Sequence, residues 1–162
     1  MTTPRSPAQP LILPANSPTD LTGIRALFAE YGAWLGDHLD QERFAVEFAT
    51  LPGQYAPPGG ALFLARVGGE VAGCVGIRPL TAEFCELKRL YSRPQFRGHG
   101  IGRRLLEAAV EAARAAGYAA IRLDTLRSMT EAQALYARLG FRDIPAYRED
   151  GITDLRYLEL RL

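Results

Sequence analysis

Residues 89–109 read RLYSRPQFRGHGIGRRLLEAA. Glycines alternate at Gly98, Gly100 and Gly102, arginines stand beside them at Arg97, Arg103 and Arg104, and a leucine–alanine run follows. Placed between a strand and a helix, such a stretch makes an anion site. The first N–H groups of a helix have no intrahelical partner, the helix dipole favours negative charge there, and glycine removes the Cβ that blocks close approach. Arginines add charge-assisted hydrogen bonds. A bare strand-to-helix turn needs one glycine and three weaken the helix, so the pattern favours a bound phosphate over an empty turn. Lys88, Arg89 and Arg93 extend the basic stretch, and in a chain of net charge +1 a local patch points to a small anionic ligand rather than a long polyanion.

Three phosphate motifs compete for this loop. A nucleoside-triphosphate loop ends in Gly-Lys-Ser/Thr, whereas Gly102 is followed by Arg103 and Arg104. The dinucleotide pattern G-x-G-x-x-G fails at Arg103, and it belongs in a first strand–helix unit, whereas this loop follows a hairpin; Asp124, at roughly the right distance for the ribose acid, does not repair the mismatch. The pattern R/Q-x-x-G-x-G/A is met in full by Arg97, Gly100 and Gly102.

The elements that position this loop are legible on both sides. LILPA (residues 11–15) reads as a strand, and SPTD opens a helix with Ser17 as N-cap, Pro18 in the first turn and Asp20 completing a capping box. Leu21, Ile24, Leu27, Phe28 and Tyr31 share one face of that helix, which should end near residues 32–36. A second short helix is expected at residues 41–50, capped by Asp40 with Phe44 and Phe48 inward, followed by a loop at LPGQYAPPGG. ALFLARV and VAGCVGIRPL form a hairpin about GGE, and EFCELKRLYS alternates as a further strand closed by Pro94. After the glycine loop a helix carries Ile101, Leu105, Ala109, Ala112 and Ala116 as a stripe and stops at Gly117; a strand AIRLDTL, a helix TEAQALYARLG and strands FRDIPAY and LRYLELRL complete the chain. The order β α α β β β α β α β β is that of a mixed α/β or α+β fold.

The 162 residues, 48% hydrophobic and 23% charged, suffice for one ordinary core. Net charge +1 gives no reason to expect nucleic acid or an anionic membrane as partner. Cys74 and Cys85 stand inside strand-like runs without CxxC or a histidine cluster, so they read as buried thiols rather than a disulfide or a metal site. No apolar run approaches the roughly 18 residues of a membrane span. Residues 1–10 lack the apolar core of a signal peptide and read as a disordered lead, which makes the cytoplasm the default location.

The chain resembles the GCN5-related N-acetyltransferase (GNAT) family in several parts taken in order. LKRLYSRPQFRGHGIGRRLL is similar to that family's acetyl-CoA loop with its flanking strand and helix. LDTL and TEAQALYARLGF resemble the following strand and helix, with Ala132, Leu135, Tyr136, Gly140 and Phe141 at the patterned positions. The hairpin resembles strands two and three, and the likeness covers residues 11–162 as a single domain. It implies a mixed, mostly antiparallel sheet of about seven strands flanked by about four helices, splayed between strands four and five. It implies that backbone amides of Arg97, Gly98, His99, Gly100, Ile101, Gly102 and Arg103 cradle the pyrophosphate of acetyl-CoA, and that the main chain at Leu90, Tyr91 and Ser92 pairs with pantetheine as an added strand. Tyr136 matches the tyrosine that protonates the departing thiolate. Met129 stands where the family often has an asparagine near pantetheine. The family is often dimeric.

The implied activity is acetyl transfer to a primary amine of a small molecule, amino acid or peptide, with no metal and no covalent enzyme intermediate. A CoA-binding sensor without turnover, another acyl donor or an oxygen acceptor are the alternatives. On a regular strand Phe84, Glu86, Lys88 and Leu90 share a face, so Glu86 is a candidate base or substrate contact, against an ion pair with Lys88 or Arg89. Histone-type members align their glutamate with Phe84 instead. His99 lies in the phosphate loop and is a poor base; His38 lies beyond the first helix, toward the acceptor. Trp34, Tyr55 and Tyr147, with Arg148, are candidate acceptor contacts, each able to serve in packing instead. Arg66, Arg78, Lys88 and Arg89 hint at an acceptor that bears a carboxylate.

Overall fold

The computed structural model describes residues 9–149 and 151–162. The chain runs as β1 (Leu11–Pro14), α1 (Pro18–Leu35), α2 (Gln41–Ala49), β2 (Ala61–Val67), β3 (Glu70–Pro79), β4 (Phe84–Ser92), α3 (Ile101–Ala115), β5 (Ala120–Leu126), α4 (Thr130–Leu139), β6 (Arg142–Ile144) and β7 (Leu155–Arg161). The seven strands form one open sheet in the order β1-β2-β3-β4-β5-β7-β6, antiparallel except for the β4–β5 pair. The expected sheet and four helices are all present. Among the described residues no helix is long and apolar enough to cross a membrane.

Local chemistry explains the boundaries. Ser17 Oγ accepts from the Asp20 N–H while the Asp20 carboxylate accepts from the Ser17 N–H, which closes the capping box of α1. Asp40 caps α2 by accepting from the Arg43 N–H. Two apolar clusters sandwich the sheet. Ile24, Leu27 and Phe28 of α1 bury against Leu62, Leu64 and Cys74 on one face. Ile101, Leu105, Leu106, Ala109, Val110 and Ala113 of α3 bury against Val75, Ile77, Leu87 and Leu123 on the other. The buried face of α3 is wider than the expected stripe: Leu106, Val110 and Ala113 bury beside Ile101, Leu105 and Ala109, Ala112 packs partly against the same cluster, and Ala116 is exposed because the helix ends at Ala115. The disordered lead falls mostly outside the described residues, but Pro10 is buried and its carbonyl accepts from Arg104 Nη1.

Two features shape the space that matters. First, β4 and β5 pair only from Phe84↔Ala120 to Glu86↔Arg122, and beyond that the strands part. Secondly, β4 carries a bulge. Cys74 and Gly76 of β3 oppose Tyr91 and Lys88, so three steps on β4 match two on β3, and Arg89 takes φ 61°. The extra residue reverses the alternation. Leu90 packs with the α3-side cluster that holds Leu87, while Tyr91 joins the α1-side cluster. The expectation that Phe84, Glu86, Lys88 and Leu90 share one face thus fails at Leu90.

Candidate active site

The chain leaves β4, makes one helical turn at Pro94–Phe96 and enters α3 through the glycine loop. Gly98 and Gly100 take φ 88° and 74°, in the left-handed region that favours glycine, with open space where a Cβ would stand. Gly100 is the N-cap of α3 and no side chain caps the helix, so its first N–H groups remain available. Gly102 is different. A Cβ there would make ordinary contacts with Leu135 Cδ2 at 3.5 Å and Ser92 Oγ at 4.0 Å. Of the flanking arginines, Arg104 is committed to Pro10, Arg103 Nε donates to Glu107, and Arg97 Nε donates to the Ser92 carbonyl while its guanidinium lies 5.8 Å from the Trp34 ring. The exposed His99 side chain does not line the cavity beside the loop.

That cavity has a volume of about 990 Å³. It runs from Gly98, Gly100, Ile101, Gly102 and Arg103 along Leu90, Tyr91 and Ser92, past Met129 and Tyr136, to Trp34, His38, Lys88, Arg89, Asp124 and Arg148. The splay of β4 from β5 opens it, since from Leu87 onward the β5-facing edge of β4 has no strand partner. Tyr136 is 5% exposed, its ring is 5.5 Å from that of Phe141, and its hydroxyl has no hydrogen-bond partner among the described residues. Burial pushes the Tyr136 hydroxyl well above its ordinary pKa, so it stays protonated through neutral pH. Met129 precedes α4, and its sulfur accepts from the Thr125 hydroxyl at 3.7 Å.

At the vertex of the splay lies a compact ionic network. Glu86 is wholly buried; its Oε1 accepts from Arg78 Nε and Nη2 at 3.1 and 3.0 Å, and its Oε2 accepts from the Tyr147 hydroxyl at 2.7 Å and from Arg148 Nη2 at 2.5 Å. Burial alone would raise the Glu86 carboxyl, but the charges of Lys88, Arg148 and Arg78 outweigh it and hold it at about 2. Asp124 on β5 approaches Arg148 Nη1 at 3.5 Å and Lys88 Nζ at 3.9 Å through Oδ2 alone. Its Oδ1 has no hydrogen-bond partner among the described residues. Glu47 of α2 accepts from the Tyr55 hydroxyl at 2.5 Å, Arg78 Nη1 at 3.3 Å and Arg89 Nε at 2.8 Å. The Arg89 guanidinium lies 5.6 Å from the Tyr31 ring centroid and 5.1 Å from that of Phe44.

The candidate residues thus separate. Trp34, 56% exposed, lines the cavity with Lys88, Arg89 and Tyr136. Tyr55 is buried in the α1-side core and Tyr147 packs edge-on against Tyr157; neither hydroxyl reaches the cavity, since each is spent on a network carboxylate. Arg66 does not belong with Arg78, Lys88 and Arg89, because it pairs with Asp20 and the Gly69 carbonyl at the far end of β2. Glu47 was not singled out from sequence, and Asp124 drew notice only as a ribose acid for a dinucleotide motif that the glycine spacing excludes. Their signal was weak: Asp124 is the one acid inside the apolar strand AIRLDTL, and Glu47 is flanked by Phe44 and Phe48 on a short helix. Among the described residues no group of three or more His, Cys, Asp or Glu side chains is placed to hold a metal ion.

Residues 24–141 match the Acetyltransferase (GNAT) family. An uncharacterized N-acetyltransferase of Schizosaccharomyces pombe is 33% identical over 147 residues, covering 90% of this chain and 90% of that protein. A putative acyl-CoA N-acyltransferase of Klebsiella pneumoniae superposes with TM-score 0.73 at 31% identity, covering 94% of this chain and 97% of that one. A GNAT family acetyltransferase of Elizabethkingia anophelis, solved with acetyl-CoA bound, superposes with TM-score 0.63 at 27% identity over 95% and 99% of the two chains. The chain belongs to the GNAT family and is an acyltransferase.

Proposed function

We propose that the protein transfers an acetyl group from acetyl-CoA to an amine, by direct transfer with both substrates bound. The observation that carries this reading is one continuous cavity, joining the uncapped start of α3, the unpaired edge of β4 and the free hydroxyl of Tyr136. The residues fit CoA chemically. Open N–H groups and left-handed glycines suit a pyrophosphate, and an unpaired strand edge suits the amides of pantetheine. When bound, acetyl-CoA supplies the activated acyl carbon and a thiolate leaving group.

In this reading the amides of Gly98, Gly100, Ile101, Gly102 and Arg103 hold the pyrophosphate, the main chain of Leu90, Tyr91 and Ser92 aligns pantetheine, and Met129 packs beside it. Tyr136 donates its proton to the sulfur. Trp34 walls the acceptor end. The amine attacks only when neutral, so a carboxylate must take its proton. Glu86 is poorly suited, because both its oxygens are already hydrogen-bonded to cations or to Tyr147. Asp124 lines the cavity and has an Oδ1 not engaged in a hydrogen bond among the described residues, which makes it the better base. Glu86 then positions Arg148 and Arg78.

The test is thiol release from acetyl-CoA with a panel of amines. We expect release that requires an amine, and a loss of about 10²-fold in kcat/KM for Asp124→Asn. CoA binding without release from any amine would overturn the reading.

A further inference from the structure

Lys88 stands apart in the network. The three arginines around it are each committed: Arg78 and Arg148 hydrogen-bond Glu86, and Arg89 hydrogen-bonds Glu47. The Lys88 side chain is only 12% exposed, yet its Nζ is 3.9 Å from Asp124 Oδ2 and 4.0 Å from Glu86 Oε1, and it makes no hydrogen bond among the described residues. Among the described residues no fully buried side-chain nitrogen or oxygen lacks a hydrogen-bond partner, so this ammonium, enclosed along its stem, keeps its Nζ accessible and free to bond a ligand in the cavity it lines. Burial accordingly opposes its charge and lowers its pKa, with Asp124 and Glu86 only partly restoring it.

The charge count points the same way. Arg78, Lys88, Arg89 and Arg148 face Glu47, Glu86 and Asp124, four cations against three carboxylates. The excess is a single positive charge, and Lys88 borders the cavity. The pyrophosphate assigned to the glycine loop is not the missing anion. Lys88 precedes Ser92 by four residues of β4, about 13 Å of strand, and the loop lies further on. A single excess charge suits a monoanion such as a carboxylate, whereas a phosphate carries nearly two charges at neutral pH.

We propose that Lys88 binds a carboxylate on the acceptor, so that the acceptors are amines bearing a carboxylate close to the amine, as in an amino acid. This rests on the transferase reading above. Asp124 and Lys88 both line the cavity with Nζ 3.9 Å from Oδ2, so an amine and a carboxylate joined by a short linker meet a base and a cation together.

Matched pairs test it: each standard L-amino acid, β-alanine and 4-aminobutyrate, against the corresponding carboxamide. Two readouts are taken. Binding to the CoA-loaded protein is followed by fluorescence of Trp34, the sole tryptophan and a cavity residue. Turnover is followed by thiol release. At least one carboxylate should bind and react at least about tenfold better than its carboxamide, the scale of one charge-assisted hydrogen bond. Lys88→Met should remove most of that ratio, and Lys88→Arg should restore part of it, with circular dichroism confirming that both fold. Equal handling of carboxylates and carboxamides by wild type overturns the proposal, as does failure of every carboxylate to bind. An equal loss on both classes in Lys88→Met also overturns it, since the lysine would then serve the chemistry. Carboxylates that bind but release no thiol would leave this site standing and remove the transferase reading.

Discussion

Arg148 Nη2 lies 2.5 Å from Glu86 Oε2, joining β4 to the segment before β7 across 62 positions of sequence. The bond ties the segment before β7 to the sheet. Replacing Glu86 by Gln keeps the shape but strips three cations of their shared anion, and breaking a buried pair in this way costs about 3 kcal/mol or more. At pH 7 the urea midpoint should fall accordingly. The pH dependence has a definite sign. The carboxyl drops from an ordinary 4.5 to about 2 in the folded protein, so its contribution is complete above pH 4.5 and is lost as pH falls toward 2. The gap between wild type and Glu86→Gln should close over that window. A variant with normal stability but depleted kcat would instead make Glu86 a base.

Tyr136→Phe separates acid catalysis from packing. The ring remains against Phe141, so the fold and CoA affinity should hold. Loss of the proton donor should reduce kcat by about 10²-fold. Because burial raises this hydroxyl above its ordinary 10.0, wild-type kcat should show no alkaline limb from Tyr136 below pH 10. A Phe variant with wild-type kcat across pH would remove the tyrosine from the mechanism.

Much of this was legible because it is local. The Ser17–Asp20 capping box, the hairpin about Gly68 and Gly69, and the spacing of Arg97, Gly100 and Gly102 each depend on residues a few positions apart. What escaped was long-range or broke a period. Period-two alternation cannot foresee the bulge at Arg89, which moved Leu90 to the opposite face from Glu86. Glu47 and Asp124 are 31 and 46 positions from the Arg78 they help to balance, and nothing in their neighbours announces it. Glu86 itself was visible as a charge in a strand, but its four partners come from β3, β4 and the segment before β7.

Gly102→Ala should move stability and affinity in opposite directions. The position lies in the first turn of α3 and the added Cβ meets only ordinary contacts, so alanine should raise helix stability by up to about 1 kcal/mol. Its methyl group would stand between Ser92 and Leu135, both of which line the cavity beside the proposed pyrophosphate cradle. CoA affinity should weaken at least about tenfold, or 1.4 kcal/mol. Calorimetric titration with CoA and thermal unfolding of one protein preparation read both effects. Unchanged CoA affinity would move the phosphates away from this turn.

Glu47→Gln probes how α2 is held against the sheet beside the cavity. Helix α2 has no fully buried residue, and only Phe44 and Phe48 pack partly against the core. Its firmest link to the sheet is the Glu47 carboxylate, bonded to Arg89 and Arg78 and to the Tyr55 hydroxyl. An amide can still accept from one of them but carries no charge, so the buried Arg89 is left without its counter-ion. The low intrinsic stability of a nine-residue helix then shows. Amide hydrogen exchange across residues 41–49 should accelerate at least about tenfold more than in β5 and β7, and acceptor KM should rise while CoA affinity holds. Uniform acceleration across the whole sheet would mean that Glu47 supports the global fold rather than the α2 wall of the cavity.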